Sequence, residues 1–289
     1  MANFFKRSYR LVIGTNEEAI EIRDLRVTFE ITKSLIGFPN TARIVAYNLK
    51  QSNRNKIKEE YKKISLYAGY ENNETLVFTG DIKNVNHFKS PTDWISEIFA
   101  GDGASDLESA KINKSYTQGS TVESLFNDLV KQMPGIAKGK LDGIKECLKK
   151  KRSILKTAIL SGSVKEFLDK IAETCGFDYS VNDGVIDTVP KGKAITSDPT
   201  IIINQTNGMI GSPEITEIGA NVTTYLNSSA KVGRLFKIES ISAKINVGNQ
   251  LFREVKKTTE GTFRINKLTH KGDTHGDEWS TSYEGAKIG

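Results

Sequence analysis

The sequence predicts an α+β protein that is mainly β, with two antiparallel β-barrels and a small α/β domain inserted between them. Three observations predict it. Apolar and polar residues alternate through most of the first hundred positions, the period becomes helical between Ser120 and Cys175, and short alternating segments return from Ile201.

The clearest early strand carries Leu25, Val27, Phe29 and Ile31, with Arg26, Thr28, Glu30 and Thr32 between them. Period two sends the two sets to opposite faces of a strand. Segments 42–49, 63–70, 75–85 and 94–100 follow, and Gly37, Pro39, Gly69, Gly80 and Pro91 punctuate the stretch as turn residues. Between the second and third segments, Ser52 is placed to cap a short helix that reaches Tyr61 and includes Ile57. Residues 1–102 read as a β-barrel or sandwich.

In residues 103–200 the pattern changes. Ser120 and Glu123 form a capping box before Val122, Leu125, Phe126, Leu129, Val130 and Met133, one apolar helix face that Pro134 and Gly135 end. Ser163 and Glu166 repeat the box before Val164, Phe167, Leu168, Ile171, Ala172 and Cys175, with Gly176 as the stop. The two helices superpose at all six apolar positions, and any two capped amphipathic helices of this length share that spacing. Asn182, Asp183 and Gly184 then join two apolar runs, a hairpin signal. From Ile201 to residue 289 the strand candidates are 201–204, 215–218, 221–226, 235–246, 251–255 and 262–270, before a last strand that carries Trp279. The order β, α/β, β lacks the alternating units of a doubly wound sheet.

Composition narrows the chemistry. The chain has 289 residues, 37% hydrophobic and 26% charged, which is the range of a folded globular protein. Its first ten residues, MANFFKRSYR, lack the apolar stretch of a signal peptide, and no run approaches the roughly 18 residues of a membrane span. The net charge of +6 is concentrated only at residues 145–156, where Lys149, Lys150, Lys151 and Arg152 are consecutive. Such a run reads first as a solvated surface and second as an anion site. Cys147 and Cys175 belong to neither a CxxC pair nor a zinc spacing and read as reduced, partly buried thiols.

No catalytic, cofactor-binding or metal site is assigned. His87, His270 and His275 are the only histidines, so any Ser-His or Cys-His scheme needs one of them. His87 has no motif around it. His270, Asp273, His275 and Asp277 crowd together in THKGDTHGDEW, but that stretch reads as a turn between strands and not as a fixed ligand set. The sequence holds no GxSxG elbow, phosphate-binding loop, HExxH helix or dinucleotide fingerprint. Aromatic residues sit at alternating strand positions, which fits core packing better than base stacking.

The carboxy-terminal third reads Gly208-Met209-Ile210-Gly211-Ser212-Pro213, then Tyr225-Leu226-Asn227 leading to Gly233, then Thr269-His270-Lys271-Gly272-Asp273-Thr274 before Glu278-Trp279. This order resembles the baseplate hub proteins of contractile-tailed bacteriophages. The GFDYSVNDG phrase from Gly176 to Gly184 and the helix at Ser163 look like the middle region of that family. Val77-Phe78-Thr79-Gly80-Asp81-Ile82 and Phe99-Ala100-Gly101-Asp102-Gly103 look like pieces of tail-tube-like domains.

The resemblance implies two tail-tube-like barrels, 1–102 and 201–289, around the α/β domain 103–200. Three such chains would imitate a six-fold ring that joins a hexameric tail tube to a trimeric central spike and passes DNA during ejection. It implies a non-enzymatic virion subunit in the tail baseplate, assembled in the host cytoplasm, with no cofactor and no membrane insertion. Its partners would be tube, spike and other baseplate proteins, and the tape measure protein. A tail terminator, a tube initiator and a type VI secretion hub are neighbouring readings. From other classes, a nucleic-acid-binding β-barrel would use the basic run, and a cell-wall hydrolase would need a site that the sequence does not display.

Overall fold

Alternation along the strands becomes burial on one face of a large sheet. The structure, a computed structural model, describes residues 4, 6–15, 17–35, 40–71, 73–149, 157–216, 218–241, 244–245 and 260–288. The first β unit comprises β1 (Arg7–Gly14), β2 (Ala19–Ile22), β3 (Val27–Ser34), β4 (Asn40–Tyr47), helix α1 (Gln51–Glu59), β5 (Lys63–Tyr70), β6 (Asn73–Lys89) and β7 (Trp94–Asp102). In β3, Val27, Phe29, Ile31 and Lys33 are buried and the residues between them are not. Val27, Phe29 and Ile31 join Leu11, Ile44, Leu66, Phe78 and Ile98 in one core, so the sheet curls around its own apolar face.

The middle unit follows with α2 (Ala104–Ser109), β8 (Lys111–Tyr116), α3 (Val122–Lys131), β9 (Ala137–Leu141), α4 (Asp142–Lys149), β10 (Ala158–Ser163), α5 (Val164–Cys175), β11 (Phe177–Asn182) and β12 (Val185–Pro190). It has its own core, centred on Phe126, Leu129, Ile144, Leu168 and Phe177. Thr121, not Ser120, caps α3, because its side chain accepts the Ser124 N–H, at 3.1 Å. Ser163 precedes α5 without a side-chain cap, and Gly176 ends the helix at φ 71°. Asp183 and Gly184, at φ 54° and 75°, make the expected hairpin turn.

The second β unit contains β13 (Ile201–Ile203), β14 (Met209–Ile215), β15 (Gly219–Tyr225), β16 (Leu235–Glu239), β17 (Lys244–Ile245), β18 (Glu260–Asp273) and β19 (Trp279–Lys287). Its core holds Val222, Phe236, Phe263, Leu268 and Tyr283. The expected strand 251–255 lies outside the described residues.

The expected mainly β class holds, and the two β units share a sheet. One fourteen-stranded sheet runs through both in the order β17-β14-β15-β19-β18-β3-β4-β7-β6-β5-β1-β2, with β13 and β16 attached at β18, and no pairing among the described residues closes a barrel. The units join at β18, whose second half adds to β3 edge to edge. One expectation needs correction. The cysteines are not reduced and only partly buried: Cys147 on α4 and Cys175 at the end of α5 are buried and joined, with Cα atoms 5.2 Å apart. That separation suits a disulfide, and helix packing sets it across 28 residues of sequence. No described helix is long and apolar enough to cross a membrane.

Candidate functional site

Four charged residues that the fold buries, Lys33, Asp102, Asp187 and Arg234, gather where the middle unit meets the two β units. On the first side, the Asn182-Asp183-Gly184 turn docks into the sheet. Lys33, 3% exposed on β3, donates through Nζ to both carboxylate oxygens of Asp183, at 2.8 and 2.7 Å. The Asp102 carboxylate at the end of β7 accepts the backbone N–H groups of Asp183 and Gly184. Asn40 donates to the Val181 carbonyl and the Asn182 side chain. Burial, and then the Asp183 charge, push the Asp102 carboxyl up to about 6.

On the second side, Arg234 is buried between two carboxylates of the middle unit, Asp187 and Asp198, the latter 2.9 Å from Nε. Asp187 also accepts the Lys140 N–H, at 2.7 Å. Arg264 on β18 reaches Asp178 and the Lys193 carbonyl, each at 3.2 Å. Each of these charges has its acceptor or donor. A buried pair is costly to break when one member is removed, about 3–5 kcal/mol, so the seams hold the three units in fixed relation. The arrangement supplies rigidity and presents no nucleophile beside a base.

The two β units share one strand order. In the first it is β1-β5-β6-β7-β4-β3, and in the second β13-β16-β18-β19-β15-β14. Within each, one long strand carries a bulge against its hairpin partner, between Ile82 and Asn84 in β6 and between Ile265 and Lys267 in β18. Counting from the bulges puts His87 on His270, Ser96 on Thr281 and Trp94 on Trp279. The contacts agree as well: His87 Nδ1 lies 3.0 Å from Ser96 Oγ, and His270 Nδ1 lies 2.9 Å from Thr281 Oγ1. The units differ at their outer strands, since β1 meets β5 antiparallel and β13 meets β16 parallel.

The comparisons with known proteins agree with this architecture. The family model described as Baseplate hub gp41 matches residues 11–247. The chain belongs to that baseplate hub family. No curated protein matches the sequence. Among solved structures, a tail protein from Neisseria meningitidis MC58 superposes with a TM-score of 0.62 at 12% identity, over 98% of this chain and 97% of that one. A 43 kDa tail protein of prophage MuSo2 from Shewanella oneidensis gives 0.61 at 9% identity, over 97% of each chain. The Escherichia coli c3393 protein, a type VI secretion component, gives 0.57 at 10% identity, over 91% of this chain and 74% of its own. These likenesses establish the fold, and the family makes the chain a structural component of a phage tail baseplate.

In this hub protein His270 serves packing and His275 lies in an exposed turn. His270 is buried, and burial followed by the Lys33 charge pushes it down to about 3, so it is neutral. Asp273 binds Arg26 and accepts the His275 N–H, while His275 itself is exposed. Among the described residues, no three His, Cys, Asp or Glu groups come together. Gly208 and Gly211 take positive φ, 82° and 70°, and Gly208 lies against the Phe4 ring. Lys149 is exposed at the end of α4, and Lys150, Lys151 and Arg152 lie outside the described residues. Sequence reasoning missed Lys33, Asp102, Arg234 and Arg264, because nothing local marks a charge whose partner sits in another unit. An inward position on an alternating strand was the one available signal for Lys33.

Proposed function

We propose that this chain is the baseplate hub subunit that adapts three-fold to six-fold symmetry, as a homotrimer whose two tail-tube-like β units alternate around a pseudo-six-fold ring. The observation that carries the reading is the matched pair of β units, alike in strand order, bulge position, histidine-hydroxyl contact and tryptophan. A symmetric ring needs near-equivalent edges, and three chains with two such units supply six. Three hydrophobic cores, each drawn mainly from one unit, support boundaries near residues 102 and 200.

In this reading one face of the ring meets the first ring of the tail tube and the other holds the central spike of a contractile tail. Other baseplate proteins contact the rim, the tape measure protein meets the ring from the tube side, and DNA passes through the lumen during ejection. The role is non-enzymatic and uses no cofactor. Assembly takes place in the host cytoplasm. Lys149, exposed at the end of α4, faces outward in this reading, away from a lumen that must not hold phosphate tightly.

Electron cryomicroscopy of assembled tails tests the proposal. The expected density is three copies at the tube-to-spike junction, with first and second β units alternating. Six copies, or a position elsewhere in the tail, would overturn it.

A further inference from the structure

The two sulfurs of the Cys147–Cys175 bond have different surroundings. Cys147 in the last turn of α4 is 0% exposed and belongs to the core of the middle unit. Cys175 at the end of α5 is 5% exposed and lines a groove of about 200 Å³. Val122 and Leu125 of α3, Leu160 of β10, and Phe167 and Ile171 of α5 form its apolar walls. Among the described residues that line it, Cys175 is the one member of the bonded pair.

The rim has a charge. Lys170 and Thr174 line the groove from exposed positions on α5, and none of the described lining residues is acidic. Lys170 Nζ stands 5.3 Å from the centroid of the Phe167 ring, so its ammonium group lies over a wall of the groove. The Thr174 hydroxyl donates to the Lys170 carbonyl, at 2.8 Å. The groove holds several times the roughly 30 Å³ that one water occupies in the liquid, which is room for a thiol-bearing side chain. Exchange at a disulfide begins with a thiolate reaching one of its sulfurs, so access decides which sulfur is attacked.

We infer that Cys175 is a thiol-exchange site of the folded chain, which takes a small anionic thiol of the glutathione class through this groove. The incoming thiolate forms a bond to Cys175 Sγ as the Cys175–Cys147 bond breaks, and the electron pair leaves on Cys147, which takes a proton from solvent. A second thiolate then attacks the small-molecule sulfur of the mixed disulfide. Cys175 leaves as a thiolate, so both cysteines are reduced and two small thiols become one free disulfide. Oxidised glutathione drives the same steps in reverse and closes the bond. Closed, the bond ties α4 to α5. Open, α4 keeps the Ile144 N–H on Thr188 Oγ1, at 3.4 Å, and the Glu146–Lys193 ion pair, at 3.1 Å. The redox poise of the surroundings thus decides how firmly α4 is held.

Trapping the intermediate in the full-length chain tests the inference. The oxidised protein is incubated near neutral pH with reduced glutathione, quenched with acid, treated with N-ethylmaleimide and mapped by mass spectrometry. Glutathione is expected on Cys175 and maleimide on Cys147, at a rate proportional to glutathione concentration. Thr174→Trp, which narrows the groove from an exposed position, should slow the reaction about tenfold without moving the unfolding midpoint. Lys170→Glu should slow glutathione about threefold or more and leave the neutral thiol 2-mercaptoethanol unaffected. A chain isolated with free thiols should take glutathione from its oxidised form on Cys175 and then close the bond. Glutathione on Cys147, no adduct in either direction, or a rate that levels off at the rate of unfolding would overturn the site. Unchanged rates in both variants would overturn the groove as its route.

Discussion

Trp94 and Trp279 stand at the same register of matched strands, yet one is 40% exposed and the other 2%. The sequence around each is similar in kind, a histidine two or three residues before a hairpin turn and a tryptophan after it. What differs is the neighbour. Phe29 of β3 meets the Trp279 ring edge-on at 5.4 Å, and Arg7 caps it, whereas Trp94 has the Arg54 guanidinium at 4.1 Å, and among the described residues the neighbouring stretch 84–89 of β6 pairs with β7 alone. A duplicated unit thus places the same residue type in a core in one copy and at a half-exposed position in the other.

The largest expected effect separates those two tryptophans. Trp279→Ala should cost about 4 kcal/mol in denaturant unfolding, as a large core truncation does. Trp94→Ala in the dilute monomer should cost about 1 kcal/mol or less, since it loses a half-exposed ring and one cation–π contact. Equal losses would remove the distinction. Next, Lys33→Met should destabilise by about 3–5 kcal/mol, because it leaves Asp183 and Asp102 buried without their cation. Reduction, or Cys147→Ser, is expected to cost about 3 kcal/mol for a closure of this length. Hydrogen exchange should localise that loss to α4 and α5, leaving both β units protected.

Acid provides the finest test, because two buried groups, Asp102 of the seam and His270 on β18, act with opposite sign. Asp102 sits at about 6 in the fold against 3.8 unfolded, so the folded state binds a proton first and gains stability as pH falls from 6 to 3.8. His270 sits at about 3 against 6.5, so the unfolded state binds first and stability falls across that range. Each contributes about 1.4 kcal/mol per pH unit. Relative to the parent chain, Asp102→Asn should lose stability on acidification from pH 6 to 4, and His270→Gln should gain it. Parallel slopes in the two variants would show that these groups do not titrate as their burial requires.

Much of the architecture was legible because it depends on local periods. Strand β5 occupies the expected residues 63–70, α5 runs from Val164 to the Gly176 stop, and the Asp183-Gly184 turn makes its hairpin. What stayed hidden depends on contacts between distant residues. Nothing in 147–175 marks a bond between its ends, and nothing near Lys33 announces an acceptor 150 residues away. The fusion of two expected barrels into one sheet is of the same kind. Strand β18 looks like any alternating strand, and its fourteen residues become a bridge only because β3 is there to receive the second half.

The Cys147–Cys175 bond also changes what cutting the chain means. Lys149 is exposed and begins the basic run, so a trypsin-like protease has a substrate sequence inside the closed loop. A single cut there leaves the amino-terminal and carboxy-terminal pieces as one covalent molecule. On a denaturing gel the nicked protein should migrate as a full-length band until a thiol reductant is added, and then as two fragments. A particle that waits outside a cell among peptidases can therefore be nicked at this point without losing either half of the subunit.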